Sequence, residues 1–286
     1  MKINSHVIKV KGLKRSYKFM QITDLHLLLF DEDFSQEKKE KYTRRKNIHF
    51  TRHGTTPEEK LVGMMNYAAG NGIFPIFSGD ILDFPSKANF DYFDNELKKV
   101  PDYFFVIGNH DWTYMDKYQG LTDVEDYRTE ETFNKYYHLF DKYVKDGTLS
   151  TEKKEFDDLV LFGIDGHDGD INKEQVDYFE KLIRLNKPIL VICHVPFYEK
   201  DMQPTFDDFA PGYLKKVAYG QEQLPMGENE KRFKELLMDP KSKVVAYLCG
   251  HAHCTVDTLI GGVTPQYLLG GSYEDEVNLF ILTPGD

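Results

Sequence analysis

The chain has 286 residues, 41% of them hydrophobic, and its 36 basic and 47 acidic residues leave a net charge of −11. That length and apolar content suffice for one large domain or two small ones with a substantial core. The acidity argues against a nucleic-acid backbone as the main partner, since proteins that bind one present a basic face, and the most basic stretch, Lys38 to Lys46, is interleaved with acids such as Glu40.

Taken in chain order, residues 7–10 and 17–22 suggest a hairpin turning at Lys11-Gly12, and Asp24-Leu25-His26 follows its second strand. A helix is expected to start after Thr56, with Pro57 at its first position and Glu59 closing a capping box. Its apolar face is Leu61, Met64, Met65 and Ala68, and Gly70 is expected to end it. The apolar run 73–77 leads into Gly79-Asp80, and a helix over 89–99 follows. The run 103–107 leads into Gly108-Asn109-His110-Asp111. Residues 127–144 read as a longer helix with Phe133, Tyr136, Tyr137 and Phe140 on one side, a stripe that suits packing. A strand over 159–164 and a helix capped by Asn172 and Gln175 and reaching Leu185 come next. The run 189–193 ends at His194, and the run 244–248 leads into Gly250-His251-Ala252-His253. The last third is strand-rich, over 255–260, 263–269 and 277–282. No internal repeat or low-complexity linker interrupts the chain.

Five apolar runs thus end in oxygen or nitrogen donors, which points to one metal site assembled from distant parts of the chain. Imidazole suits borderline first-row dications and carboxylate harder ones, so a thiolate-free set favours Mn, Fe, Zn or Co. One aspartate can bridge two cations, and two cations roughly 3.5–4 Å apart can clamp a displacement at phosphorus.

These blocks, in this order over residues 24–253, resemble the calcineurin-like metallophosphoesterases. The resemblance implies a four-layer α/β sandwich of two stacked mixed sheets with helices on both outer faces, here one domain over residues 1–286. It implies that Asp24, His26, Asp80 and His253 hold a first divalent metal, that Asp80 bridges, and that Asn109, His194 and His251 complete a second. A bridging hydroxide would attack phosphorus. His110 would face the leaving oxygen as general acid or charge stabiliser, oriented by Asp83 or by Asp111, two candidates between which sequence does not choose. Asp83 stands where purple acid phosphatases place a tyrosine ligand, which argues against a purple ferric centre. Phe84-Pro85 after Asp83, in place of Asp-Arg-Gly after Leu82, argues against the protein Ser/Thr phosphatases. What remains is the group acting on small phosphate esters. No arginine lies within a few residues of the motif blocks, which favours a singly charged diester over a doubly charged monoester. The same metal core would serve a phosphomonoesterase, and a non-catalytic protein of this fold would be expected to lack Asp80 or His110, which are both present.

Three stretches following motif blocks, residues 28–55, 112–126 and 197–227, are expected to be insertions over the site. Their aromatic residues, Phe30, Trp112, Tyr114, Tyr118, Phe197, Tyr198, Phe206 and Tyr213, suit either packing or stacking on a base or sugar, with packing favoured for each. Thr51-Arg52-His53-Gly54-Thr55 is similar to a phosphohistidine signature but follows a polar stretch, not a buried strand; His49 and His53 remain candidates to face substrate. Asp165 to Asp170 has the look of a calcium loop but lacks the closing Glu, Val176 standing there. His6 and His138 read as surface or packing residues. The three cysteines, Cys193, Cys249 and Cys254, suit core positions rather than disulfides. The basic segment 1–15 lacks the apolar region of a signal peptide, and no run of 18 apolar residues could span a membrane, so the expected compartment is the cytoplasm.

Overall fold

The computed structural model describes residues 1–113, 130–166, 170–209 and 215–286. Within them lie eleven strands: β1 (Lys2–Lys11), β2 (Tyr17–Ile22), β3 (Phe74–Ser78), β4 (Phe104–Val106), β5 (Thr151–Glu155), β6 (Val160–Ile164), β7 (Ile189–Cys193), β8 (Val244–Cys249), β9 (Val256–Ile260), β10 (Thr264–Leu268) and β11 (Glu276–Gly285). The helices are α1 (Gln36–Arg45), α2 (Pro57–Asn71), α3 (Lys87–Leu97), α4 (Asn109–Trp112), α5 (Glu130–Tyr136), α6 (Lys173–Ile183), α7 (Gln203–Phe209) and α8 (Glu228–Met238).

The strands form two mixed sheets, ordered β1-β11-β2-β3-β4 and β5-β6-β7-β8-β10-β9. Alternation along each strand sends one set of side chains between the sheets and the other outward. Phe19, Ile76 and Phe104 of the first sheet meet Leu161, Leu190, Ile192 and Leu248 of the second in a shared core. Met20, Ile22, Phe77 and Phe105 pack outward under Leu61, Met64 and Met65 of α2 and Phe93 of α3. Phe162, Val191 and Cys193 pack outward under Phe179 of α6 and Phe233 of α8. The result is the expected sandwich of helices, sheet, sheet and helices. Among the described residues, no helix is long and apolar enough to cross a membrane.

The expected N-terminal hairpin is not formed. β11 lies between β1 and β2, parallel to the first and antiparallel to the second, with Phe280 opposite Phe19. β11 buries Val277, Phe280 and Leu282 completely, whereas β1 is mostly exposed or half-buried, so the more apolar strand takes the interior place. Helix α2 has the predicted capping box at Thr56 and Glu59, but runs past Gly70 to Gly72. That residue adopts φ 60° and returns its N–H to the carbonyls of Ala68 and Ala69, the left-handed ending glycine favours. The long helix expected over 127–144 is α5 followed by a tighter 3-10 turn, Tyr137–Tyr143; residues 127–129 lie outside the described residues. Three residues per turn put Phe140 and Tyr143 on one side, where both are buried against Phe90 and Phe105. The cap on α6 is as expected, with Asn172 and Gln175 bonded reciprocally. His6 packs against Tyr267 and Phe280, and His138 is exposed. All three cysteines are free and buried.

A buried acid on β5 makes stability depend on pH. Glu152 is 3% exposed and accepts hydrogen bonds from the backbone N–H groups of Phe105 and Lys145. Burial pushes its carboxyl up to about 8 against the pull of those two amides. The folded chain therefore keeps a proton that the unfolded chain releases. Its contribution is fully present below the ordinary value of 4.5 and is lost as pH rises through about 8. Glu152→Gln should remove that loss, so between about pH 5 and 8.5 the stability difference read from urea midpoints should shift in favour of the variant by a few kcal/mol, on the order of 1.4 per unit of displacement. Parallel midpoint curves would mean that Glu152 is ionised in the fold.

Candidate metal centre

All five motif blocks lie at the C-terminal ends of β2, β3, β4, β7 and β8, along one rim shared by the two sheets. In open α/β sheets, that rim is where ligands collect. The chain turns sharply on leaving each strand. Asp24, His26, Asp80, His251 and His253 all adopt positive φ, between 47° and 72°. Such a backbone costs on the order of 1–3 kcal/mol for a residue with a side chain and persists where the surroundings enforce it. Here the neighbouring loops enforce it: the N–H groups of Asp24 and His26 donate to the carbonyls of Gly79 and Asp80, and the N–H of His251 donates to both oxygens of Asp24, at 3.1 and 2.9 Å. Two motif glycines are dictated by close approach. A Cβ at Gly250 would lie 2.2 Å from Asp24 Oδ2, and one at Gly108 would lie 2.3 Å from Asp80 Oδ1.

These turns bring the donor atoms together in three groups, Asp24–His26–His253, His26–Asp80–His110 and Asp80–His194–His251, the atoms of each lying within 4.8 Å of one another. His26 belongs to two groups, and so does Asp80. The two histidines of the last block divide between the sides: the His253 ring is 5.0 Å from that of His26, and the His251 ring 5.0 Å from that of His194. Asn109 is buried at the first position of α4, next to His110, whose N–H donates to Asp80 Oδ1 at 2.7 Å.

The hydrogen bonds behind the rings set which nitrogen faces inward. His194 Nδ1 is 2.8 Å from the carbonyl of Ser78, which can only accept, so Nδ1 carries a proton and Nε2 is the nitrogen left to face a cation. That Nε2 is fully buried and has no hydrogen-bond partner of good geometry, although Asp80 Oδ2 is 3.0 Å away. His26 Nδ1 lies 3.1 Å from Asp83 Oδ1, and its Nε2 lies 3.1 Å from Nε2 of His253. Two imidazole nitrogens facing each other at that distance, with an orphaned nitrogen and two buried carboxylates nearby, suit a cation between them. The residues present therefore fit a divalent metal pair. The charges respond in the same sense. Burial opposes ionisation of Asp24, but His194 and His253 overcome it and hold the carboxyl down at about 2. Burial likewise disfavours the charged form of His194, but Asp80 and Asp24 raise it to about 10. Desolvation in the cleft pulls His110 below its ordinary value, against the pull of Asp80.

The two carboxylates proposed to orient His110 are placed differently. Asp83 Oδ1 is 3.5 Å from His110 Nδ1. Asp111 is spent on the backbone: it accepts from the N–H groups of Asp80, Leu82 and Gly108 at 2.9, 2.8 and 2.7 Å and so shapes two of the turns.

Several described residues that touch the centre belong to no motif. Arg45, from the end of α1, grips Asp83 with Nε and Nη2 at 2.8 and 2.9 Å. Phe50 stacks on the His26 ring at 4.4 Å and 11°. Tyr273 stands edge-on to His253 at 5.3 Å. Arg45 and Phe50 come from the 28–55 stretch, whose sequence has no periodicity that would mark them. For Tyr273 there is a signal: Gly270-Gly271 follows the end of β10 on the same rim. No arginine is near the motifs in sequence, but Arg45 is near them in space, so the sequence-based ground for preferring diesters does not carry over unchanged. The aromatic residues of the insertions resolve mostly to packing. Trp112, Phe197 and Phe206 are in the core, and Phe30 and Tyr198 pack against it; Tyr114, Tyr118 and Tyr213 lie outside the described residues, as do residues 167–169 of the calcium-like turn. His53 is exposed at a tight turn, and His49 is half-buried beside Phe50.

Residues 17–255 match the sequence model of the calcineurin-like phosphoesterases. The fold is similar to that of a dimetal phosphatase from Danio rerio, with a TM-score of 0.55 at 12% identity, covering 91% of this chain and 89% of that one. It is also similar to a purple acid phosphatase from yellow lupin (Lupinus luteus) seeds, with a TM-score of 0.55 at 12% identity, covering 92% of this chain but 45% of that one. At such identity these likenesses are ones of fold. No curated protein matches the chain.

Proposed function

The chain belongs to the calcineurin-like phosphoesterase family of metal-dependent phosphoric ester hydrolases, and we propose that it is a phosphodiesterase acting on a small molecule or nucleotide. The observation that carries the two-metal part of this reading is the sharing of Asp80 between donor groups on either side of it. Asp24, His26, Asp80 and His253 would hold one cation, and Asp80, Asn109, His194 and His251 the other, with Mn, Fe, Zn or Co suited to such a donor set. When bound, the pair would polarise phosphoryl oxygens and lower the pKa of water at the centre. Ser78 and Asp83 keep His194 and His26 in the tautomer that presents Nε2 inward. His110, about a third exposed, would meet the leaving oxygen, with Asp83 behind its Nδ1. Pairing of β11, the last strand, with β1 and β2, the first two, supports reading residues 1–286 as a single domain.

The preference for a diester rests on charge. The two-pronged contact of Arg45 at the centre goes to Asp83, so the guanidinium is engaged there rather than offered to the second negative charge of a monoester. A phosphomonoesterase is the second reading, favoured by the presence of the Arg45 cation at the edge of the centre, its side chain 16% exposed.

A paired assay separates them. The protein is stripped with chelator, reloaded with Mn²⁺, Zn²⁺, Co²⁺ or Fe²⁺ in turn, and given bis-p-nitrophenyl phosphate or p-nitrophenyl phosphate. Metal-dependent turnover favouring the diester is the expected result. Preference for the monoester would select the second reading, and absence of turnover with two ions bound would leave a non-catalytic protein of this fold.

A further inference from the structure

The side chain of Arg45 enters the centre from outside every motif. Its guanidinium forms a two-pronged pair with Asp83, a carboxylate with no exposed surface. The Asp83 oxygen that accepts from Arg45 Nη2 also lies 3.1 Å from His26 Nδ1. The guanidinium sits 5.1 Å from the centroid of the Phe50 ring, which covers the face of His26. Phe50 in turn is held through its carbonyl by the ammonium of Lys60, itself 3% exposed. A five-residue π-helical turn, Lys46–Phe50, lies between the two contacts and brings both to one imidazole. Such turns are rare and recur at functional sites.

We infer that Arg45 is a positioning residue for the His26 side of the centre: by fixing Asp83 it keeps the Nδ1 proton of His26 directed at that carboxylate and the Nε2 lone pair directed at His253 and the metal position between them. The inference rests on the metal-centre reading above. Its physical basis is that a buried carboxylate stripped of its cation is strongly disfavoured. Without Arg45, that two-pronged pair would no longer hold Asp83 in place, and the His26 ring would lose the acceptor that orients it. The other side does not lean on Asp83. His194 is held by the Ser78 carbonyl and sits beside Asp80. The effect of losing Arg45 is therefore lopsided: one metal position weakens and the other does not. Loss of such an outer partner typically lowers metal affinity about 10–100-fold.

The test is calorimetric titration of the chelator-stripped full chain with Zn²⁺, in wild type, Arg45→Met and Arg45→Lys. The expected result is two ions in wild type, one of the two sites weakened about 10–100-fold in Arg45→Met, and a partial recovery in Arg45→Lys, which keeps the charge but loses the fork. If wild type takes up fewer than two ions, the metal-centre reading fails and the inference with it. If wild type binds two and Arg45→Met binds both as tightly, the inference alone fails. Equal weakening at both sites, together with a lowered Tm of the metal-free variant, would show a general structural role and overturn it. So would unchanged metal affinities accompanied by a raised KM, which would make Arg45 a substrate contact. Should Arg45→Met not fold, the lopsided loss is read in Arg45→Lys.

Discussion

Asp80→Ala is expected to abolish metal-dependent turnover. Asp80 is the carboxylate common to two of the donor groups, it is 1% exposed, and one of its oxygens lies 3.0 Å from His194 Nε2. Removing it withdraws a ligand from both proposed metal positions at once. The other oxygen accepts from the His110 N–H, so the turn carrying His110 loosens as well. Several kcal/mol of transition-state stabilisation depend on such a cation pair, so the loss should be on the order of 10³-fold or more in kcat/KM. The measurement is turnover of bis-p-nitrophenyl phosphate, with bound metal counted in the same sample. Full activity with two ions still bound would remove the shared-bridge reading.

A different signature is expected of His110→Ala. In the proposed mechanism this residue holds a proton or a hydrogen bond at the leaving oxygen, and general acid catalysis contributes about 10²–10⁴-fold. The loss should follow the leaving group: large for an alkyl ester, whose alkoxide needs the proton, and small for p-nitrophenolate, which departs without one. Metal content should stay at the wild-type value. A uniform loss across leaving groups would remove His110 from that role. Loss of an ion would instead place it among the ligands, a possibility consistent with its nearness to His26 and Asp80. Comparing the two variants separates residues that hold metal from one that moves a proton.

The chain itself determined the five donor blocks, because each stands directly after an apolar run and local hydrophobicity marks a buried strand. Resemblance in their order was enough for the family and for the sandwich of sheets and helices. Capping chemistry determined the starts of α2 and α6, since a cap is a contact between residues three apart. The tertiary structure decided what depends on distant parts of the chain. Only pairing across more than 250 residues puts β11 between β1 and β2; two neighbouring apolar strands look like a hairpin until a third, more apolar one is brought in. Only packing distinguishes the two aspartates behind His110: they have the same chemistry, but one faces the ring and the other three backbone amides. Arg45 and Phe50 belong to the same category. Their stretch carries no motif, and they matter because a helix end and a π-helical turn carry them onto Asp83 and His26. A sequence marks the residues that must sit at strand ends; which neighbours fix their charge and tautomer is a matter of three-dimensional contact.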